Sequence, residues 1–475
     1  MCQISLRNVF VVAPGSSHHS EGTNILKTHF QLSSVVAAAF LVTTPGLGQS
    51  KASPLTETKA EADSLDQRIN LRLSFQGKDW LNEPAWLFHG PGNTVTLVAV
   101  GGTERVLKGE RQRDGSYSLR LDEGNQTVTL KLAPTAGGLA GRWTRGLGSG
   151  EAVAVPSEPS LQIADFAQVF DRLTGILDAR FFDPGFNGRD WSAMKDRYRA
   201  KALSAANEGV FVLTVREMLK EIGVSHVGFF NAPPAPPTAE TTPAPDARQI
   251  VGWIKPEPGI GYMRIARFSG LPQWRTTLDR GFAELADTHT LILDLRENGG
   301  GNLSLGMRLA DHVMPEKRSF GIYVSRPGLA AAGVSSIDQF PREQAFMYDG
   351  YEQDEFFGEL FTRGAVSLVS GGRAFTRSRR LYVLIDRETG SAAEAVAAEL
   401  KEQGAILVGQ KSSGAMLVSV RENIAKDWIL RFPAGDFRTG YGAVVEGIGV
   451  EPTHPVDPRR AYDVALEMAK RDIKK

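Results

Sequence analysis

The sequence predicts a multidomain protein built from a small N-terminal all-β module, a helical subdomain and an α/β core. Three observations carry this. Residues 71–155 run in short alternating apolar stretches broken by glycine and turn pairs, and residues 163–223 place their apolar side chains at helical spacing. From 250 to 458, short β-rich runs alternate with helical patterns, the signature of an α/β layer fold. A chain of 475 residues fits about three units at roughly 150 residues each.

Composition removes several classes of function. The 54 Lys and Arg residues cancel the 54 Asp and Glu residues, so no basic excess draws the chain onto phosphate backbones or anionic lipid. Nucleic-acid binding is not expected. With 42% hydrophobic and 23% charged residues the chain can fill a core and is not globally disordered. Cys2 is its only cysteine, which excludes an intrachain disulfide, a Cys-based zinc cluster and a thiol nucleophile deeper in the chain.

Residues 1–50 read as a leader. Lys27 and His29 precede an apolar run at 32–42, followed by Pro45, Gly46, Gly48 and Ser50. That run is shorter than the ~18 apolar residues that span a bilayer, and small residues follow it as a signal peptidase site requires. The expectation is a secreted or periplasmic protein with no stable membrane anchor; a buried helix is the other reading. Residues 51–67 then form a linker.

The β module is placed at 68–157. Runs at 94–100, 116–121, 127–132 and 139–144 are set off by Asp114-Gly115, Gly124-Asn125 and Gly137-Gly138, which are hairpin punctuation. A small antiparallel sandwich or open barrel is expected. Nothing in it clusters chemically, so it reads as a structural or substrate-docking part.

The helical subdomain spans 160–231. Phe166, Val169, Phe170, Leu173, Ile176 and Leu177 share one helical face; Val215, Met218, Leu219 and Ile222 share another before Gly223 stops the helix. Ser225 and His226 follow at once. Residues 232–248 are a Pro-rich linker, because proline suits neither a helix interior nor a central strand, and 249–475 is the α/β core.

Two loops of the core can carry chemistry. Asp294-Leu295-Arg296-Glu297-Asn298-Gly299-Gly300-Gly301 follows a hydrophobic strand, and successive glycines let backbone N–H groups approach a ligand. It reads as an oxyanion hole or, less fittingly, a phosphate cradle, since the spacing matches no nucleotide motif. Asp294 and Arg296 read as an ion pair that holds it. The second loop, Thr389-Gly390-Ser391-Ala392-Ala393-Glu394, lies between a strand and an Ala-rich helix. There Ser391 can present its hydroxyl at a tight turn with the Ala392 N–H beside it, or it can simply cap the helix in a box with Glu394.

A serine nucleophile needs a base. His18, His19 and His29 fall in the leader, leaving His89, His226, His289, His312 and His454. Only His226 stands beside a polar partner at the end of a helical unit and next to a flexible joint, although a lone histidine can equally be structural.

Taken together, these residues resemble the tail-specific (C-terminal processing) and tricorn-core serine peptidases over about 163–456. The matching pieces are Phe182-Asp183-Pro184 through Asp190-Trp191, Ser225-His226, Gly261-Tyr262-Met263-Arg264-Ile265, the 294–301 loop, Ser391-Ala392-Ala393-Glu394, 409–414, and Glu446-Gly447-Ile448-Gly449-Val450-Glu451-Pro452. The resemblance implies a crotonase-like α/β peptidase core behind a helical bundle, and Ser391 as nucleophile. Tail-specific members take their base from a lysine after the glycine at position 414, where this chain has Ala415. Tricorn-like members use a Ser-His pair and a glutamate, matched here by Ser225, His226 and Glu446. The 232–248 linker is also too short for the PDZ domain that tail-specific members carry. The pair Thr453-His454 departs from the family's usual residues.

The expected function is that of a secreted serine peptidase acting on polypeptides, with no cofactor and no metal. His226 serves Ser391, Glu446 orders Ser225 and His226, and the N–H groups of Ala392 and Gly300 stabilise the oxyanion. Two alternatives stay open: a non-catalytic protein binding apolar ligands or peptides on the same fold, and a Ser391-Lys411 dyad.

Overall fold

The computed structural model describes residues 66–473 apart from 103–104, 124–125, 147, 233–249, 270–271 and 373–379. The expected leader, nearly all of the 51–67 linker and nearly all of the Pro-rich linker lie outside the described residues.

The all-β module is a closed eight-stranded barrel, β1 (Gln67–Phe75) through β8 (Gly148–Pro156), every strand antiparallel to its neighbours and β1 pairing back to β8. This corrects the expectation of a sandwich or open barrel: all eight strands pair, so no edge is left unpaired. Period-two alternation drives closure. Ile69, Leu71 and Leu73 point inward with Leu119, Leu130 and Leu132, and Trp143 fills the interior, its indole N–H donating to the Ser74 carbonyl at 3.0 Å.

Helices α1 (Phe166–Arg180), α2 (Trp191–Leu203) and α3 (Glu208–Glu221) form the helical subdomain. Asp190 and Asn207 cap α2 and α3 by accepting from Ala193 N–H and Val210 N–H. The apolar faces read from the sequence meet in one cluster, which the barrel residues Trp86, Val98 and Val100 join from one side. The barrel is therefore docked on the helices. Arg216 of α3 ties that junction by donating to the carbonyls of Ala99 (2.8 Å), Val100 (3.2 Å) and Phe229 (2.9 Å).

The core holds two sheets. The first runs in the order β10 (Val251–Glu257), β11 (Ile260–Ile265), β12 (Thr290–Asp294), β16 (Arg380–Ile385), β17 (Ile406–Gly409) and β20 (His454–Pro455), parallel from β11 onward. The second runs β14 (Phe346–Tyr348), β15 (Ala365–Ser370), β13 (Arg318–Ser325), β19 (Trp428–Thr439) and β18 (Val418–Ala425), and β9 (Gly228–Asn231) also pairs with β19. The segment 314–380 thus supplies three strands of the second sheet. Helices α4 (Pro272–Glu284), α5 (Leu303–Val313) and α8 (Ala392–Glu402) pack into the main core, while α9 (Pro458–Ile473) covers the outer side of the first sheet through Ala461, Ala465 and Ala469. Short helices α6 (Arg326–Ala331) and α7 (Gln353–Arg363) lie between strands of the second sheet. Among the described residues no helix is long and apolar enough to cross a membrane.

Topology brings the two chemical loops together. β12 and β16 are parallel neighbours, so the loop after each leaves from the same end of the sheet, the end where α/β proteins place their ligands.

Candidate active site

The loop at 386–391 joins β16 to α8 and is held by its own side chains. Asp386 Oδ1 accepts N–H groups from Glu297, Glu388 and Thr389, each at 3.0 Å, and Thr389 Oγ1 donates to the Leu295 carbonyl at 2.9 Å. Gly390 N–H donates to the Asn298 carbonyl at 2.9 Å. These bonds stitch the serine loop to the glycine loop. They also hold Ser391 at φ 54°, ψ −125°, a conformation that costs a non-glycine residue about 1–3 kcal/mol and persists only where its surroundings enforce it.

At that turn Glu394 N–H donates to the Ser391 carbonyl at 2.8 Å. The reciprocal arm is made, with Ser391 N–H donating to Glu394 Oε2 at 3.0 Å. Glu394 is fully buried and does more than cap. It also accepts from Ser412 Oγ (2.6 Å), Ser413 Oγ (3.1 Å), Gly414 N–H (2.6 Å) and Ala415 N–H (2.8 Å), so one carboxylate fixes the 412–415 strap beneath the serine. Burial raises its pKa, partly offset by these donors.

The next peptide unit continues the chain of contacts. Met416 N–H donates to Glu446 Oε2 at 2.7 Å, and Glu446 in turn accepts Ser225 N–H (2.7 Å) and Ser225 Oγ–H (2.8 Å). Burial raises the Glu446 pKa and the three donors lower it. Ser225 Oγ lies 2.7 Å from His226 Nδ1. Since its own proton points at Glu446, Ser225 Oγ must accept from His226 Nδ1–H, which leaves the lone pair on Nε2. His226 sits at φ 59°, between α3 and β9, and its pKa is lowered first by burial and then by the charge of Arg431.

Ser225, His226 and Glu446 therefore form one hydrogen-bonded relay, while Ser391 and His226 are not hydrogen-bonded to each other. Catalytic hydrogen bonds often tighten only with substrate present. Gly300 lies close to the serine: a carbon added to its Cα would stand 2.6 Å from Ser391 Cβ and 2.9 Å from Ala392 N. The expectation of a free donor there needs correcting. Gly300 N–H donates to Asn298 Oδ1 at 2.9 Å, because the buried Asn298, anchored to the Ile265 carbonyl at 2.9 Å, turns its side chain back over the loop. Ala392 N–H, by contrast, has no acceptor among the described residues. Asp294 holds the loop through Arg296 (2.6 and 2.8 Å) and Tyr262 (2.8 Å).

A family model described as Peptidase family S41 matches residues 259–456, and a model described as Tricorn protease C1 domain matches residues 163–220. Over residues 259–456 the chain is thus similar to peptidase family S41, and over 163–220 to the tricorn protease C1 domain. Among relatives, a Streptomyces coelicolor protein named as a tricorn protease homolog is 38% identical over 63 residues, 13% of this chain and 5% of that protein. The chloroplastic C-terminal processing peptidase of Tetradesmus obliquus is 22% identical over 202 residues, 42% of this chain and 35% of that peptidase. The matched stretches thus span well under half the length of these relatives. The solved photosystem II D1 C-terminal processing protease is 17% identical, with a TM-score of 0.40 over 62% of this chain and 93% of that one.

The lysine of the dyad alternative is engaged with a carboxylate. Lys411 is half-exposed and pairs with Glu451 at 2.7 Å, on the solvent side of the strap. His454 forms the short edge strand β20 and is exposed. Three residues escaped the sequence reading. Glu394 looked like a cap, though a glutamate on an otherwise Ala-rich buried helix was a signal that its charge has inward partners. Asn298 gave none. Arg431 could have been noticed from parity, because it alternates with the buried Trp428, Leu430 and Phe432. The barrel reaches the site as well: Arg145, at the end of its seventh strand, lies near enough to Glu388 for its charge to lower that carboxyl's pKa against burial.

Proposed function

We propose that this protein is a serine peptidase that hydrolyses polypeptides through an acyl-enzyme on a crotonase-like core, with Ser391 as nucleophile. The observation that carries this reading is the Glu446–Ser225–His226 relay, which presents an unprotonated Nε2 in a chain whose Ser391 stands at a strained strand-to-helix turn. His226 Nε2 takes the proton of Ser391 Oγ as that oxygen bonds to the peptide carbonyl carbon. The carbonyl π electrons move to its oxygen, which receives the Ala392 N–H and, once it exchanges Asn298 Oδ1 for the oxyanion, the Gly300 N–H. Collapse breaks the C–N bond, and His226 protonates the leaving amine. Water then adds to the acyl carbon, gives its proton to His226, and Ser391 leaves with that proton restored. Glu446 keeps Ser225 oriented and favours the imidazolium that forms.

Secretion after removal of residues 1–50 is part of the same proposal, as is the division into a β module, a helical subdomain and a peptidase core. No metal or cofactor enters any step. Incubation with a fluorophosphonate probe tests the reading: one label per chain at Ser391 and cleavage of unfolded polypeptide are expected. Absence of labelling on the folded protein, or wild-type turnover by purified Ser391→Ala, overturns it. Ser391→Ala and His226→Ala each remove nearly all activity and together no more than either, since they act as one unit.

A further inference from the structure

From Trp428 to Phe432 strand β19 alternates between buried and half-buried residues. Trp428, Leu430 and Phe432 are buried against the helical subdomain, so Ile429 and Arg431 face the other way. Pairing then places a second basic group beside Arg431. Its directly opposite neighbour on β18 is Arg421, and on its other side it is paired with Gly228, two residues from His226. Like charges directly opposite on one face of a sheet are destabilising. No carboxylate among the described residues offsets them, and Arg431 Nε is buried without a hydrogen-bond partner. Glu422, next to Arg421 in the chain, is held by Arg180 at 2.5 Å.

Three other arginines among the described residues have full sets of partners, although Arg68 and Arg145 also bury an Nε without a hydrogen bond. Arg216 donates to three carbonyls, Arg296 grips Asp294, and Arg438 bonds Asp338 and Asp436. Around Arg431 the same face carries the half-buried Phe230 and Ile429, with the Arg421 guanidinium 5.7 Å from the Phe230 ring centroid. A planar donor fork with an unpaired Nε, set in partly apolar surroundings beside the proposed base, suits a bidentate carboxylate.

We propose that Arg431, supported by Arg421, is a specificity-determining subsite for a carboxylate of the substrate polypeptide close to the bond that is cut. It rests on the serine peptidase reading. The carboxylate is either an acidic side chain or the C-terminal α-carboxylate, and both would dock on the same fork.

The test uses the full chain and fluorogenic peptides that differ only in Glu or Gln at successive positions around the cut bond, each made with a free or an amidated C-terminus. Peptides bearing the carboxylate at the docking position should show kcat/KM about tenfold or more above the Gln amide. Gain from Glu identifies the side chain, and gain from the free terminus identifies the α-carboxylate. That ratio should collapse toward one in Arg431→Gln and be intermediate in Arg431→Lys, which keeps the charge without the fork. Equal turnover of all peptides by the wild type, or a ratio that survives Arg431→Gln, overturns the proposal. If Arg431→Gln does not fold, as read by near-UV circular dichroism, Arg421→Gln carries the same comparison, with the ratio falling several-fold. Titration of the same peptides into Ser391→Ala separates the two readings. Tighter binding of the carboxylate peptide, lost in Ser391→Ala/Arg431→Gln, supports the subsite even if the wild type cleaves nothing, whereas equal binding of Glu and Gln peptides removes the subsite even in an active peptidase.

Discussion

Glu394 and Glu446, two buried carboxylates from opposite sides of the site, are joined by consecutive peptide units: Ala415 N–H donates to Glu394 at 2.8 Å and Met416 N–H to Glu446 at 2.7 Å. Each carboxylate then reaches a different chemical residue, Glu394 the Ser391 N–H and Glu446 the Ser225 hydroxyl. The proposed nucleophile and its base are thus positioned through one strap of chain. Their proximity raises the cost of the Glu446 charge: burial first, and Glu394 in addition, shift its pKa upward.

Glu446→Gln removes the charge that balances an imidazolium and lets the carboxamide donate where the carboxylate only accepted. The expected result is a fall in kcat of roughly 10²–10⁴-fold with fluorophosphonate labelling slowed in parallel, by analogy with loss of the orienting carboxylate in other triads. Single-turnover kinetics check it.

Acid tolerance follows from His226. A base works only when neutral, so kcat/KM falls as pH drops through its pKa. Burial and then Arg431 hold that pKa below the ordinary 6.5, so the acid limb should lie below pH 6.5. Arg431→Gln removes the second cause and should move the limb to higher pH, with Ser225 and Glu446 unchanged as its other neighbours. A limb at or above 6.5 in the wild type contradicts the geometry.

Glu394→Gln leaves several of the five donors around the carboxylate facing an amide nitrogen. Each buried donor left unsatisfied costs about 1–3 kcal/mol, so denaturant melts should show a loss of that size or more, together with loss of Ser391 labelling. Retained stability with lost labelling would confine Glu394 to positioning the strap.

Gly300→Ala tests close approach. The added carbon would fall 2.6 Å from Ser391 Cβ and 2.7 Å from the Gly390 carbonyl, at φ 88°. Labelling and turnover should both fall by more than tenfold, a loss of about 1.4 kcal/mol or greater in transition-state stabilisation.

Much of the fold was legible because it is written in local periodicity. Alternation in the runs at 94–100, 116–121, 127–132 and 139–144 marked the β module, the Phe166–Leu177 stripe marked the first helix, and turn pairs separated the strands. Closure of the barrel was not legible. It depends on β1 pairing with β8, and a strand's sequence does not name its partner. The site was half legible. The strand-to-helix loop singled out Ser391 and elimination among the histidines His226, while the roles of Ser225 and Glu446 came only from the resemblance to tricorn-like peptidases. The sequence could not show that Gly300 N–H is engaged by Asn298, nor that Glu394 gathers four donors from 412–415, because both depend on where a side chain turns.

By itself, the sequence determined which residue types were available for chemistry: no thiol beyond Cys2, no charge excess, a serine at a strand-to-helix turn and few histidines to serve it. Tertiary structure alone decided which of them meet. Parallel pairing of β12 with β16 put the glycine and serine loops at one end of a sheet, and antiparallel pairing of β9 with β19 set Arg431 beside the His226 segment. The physical reason is that hydrogen bonds and electrostatic forces act over a few ångströms in space. Chain separation carries no information about them until the strands have paired.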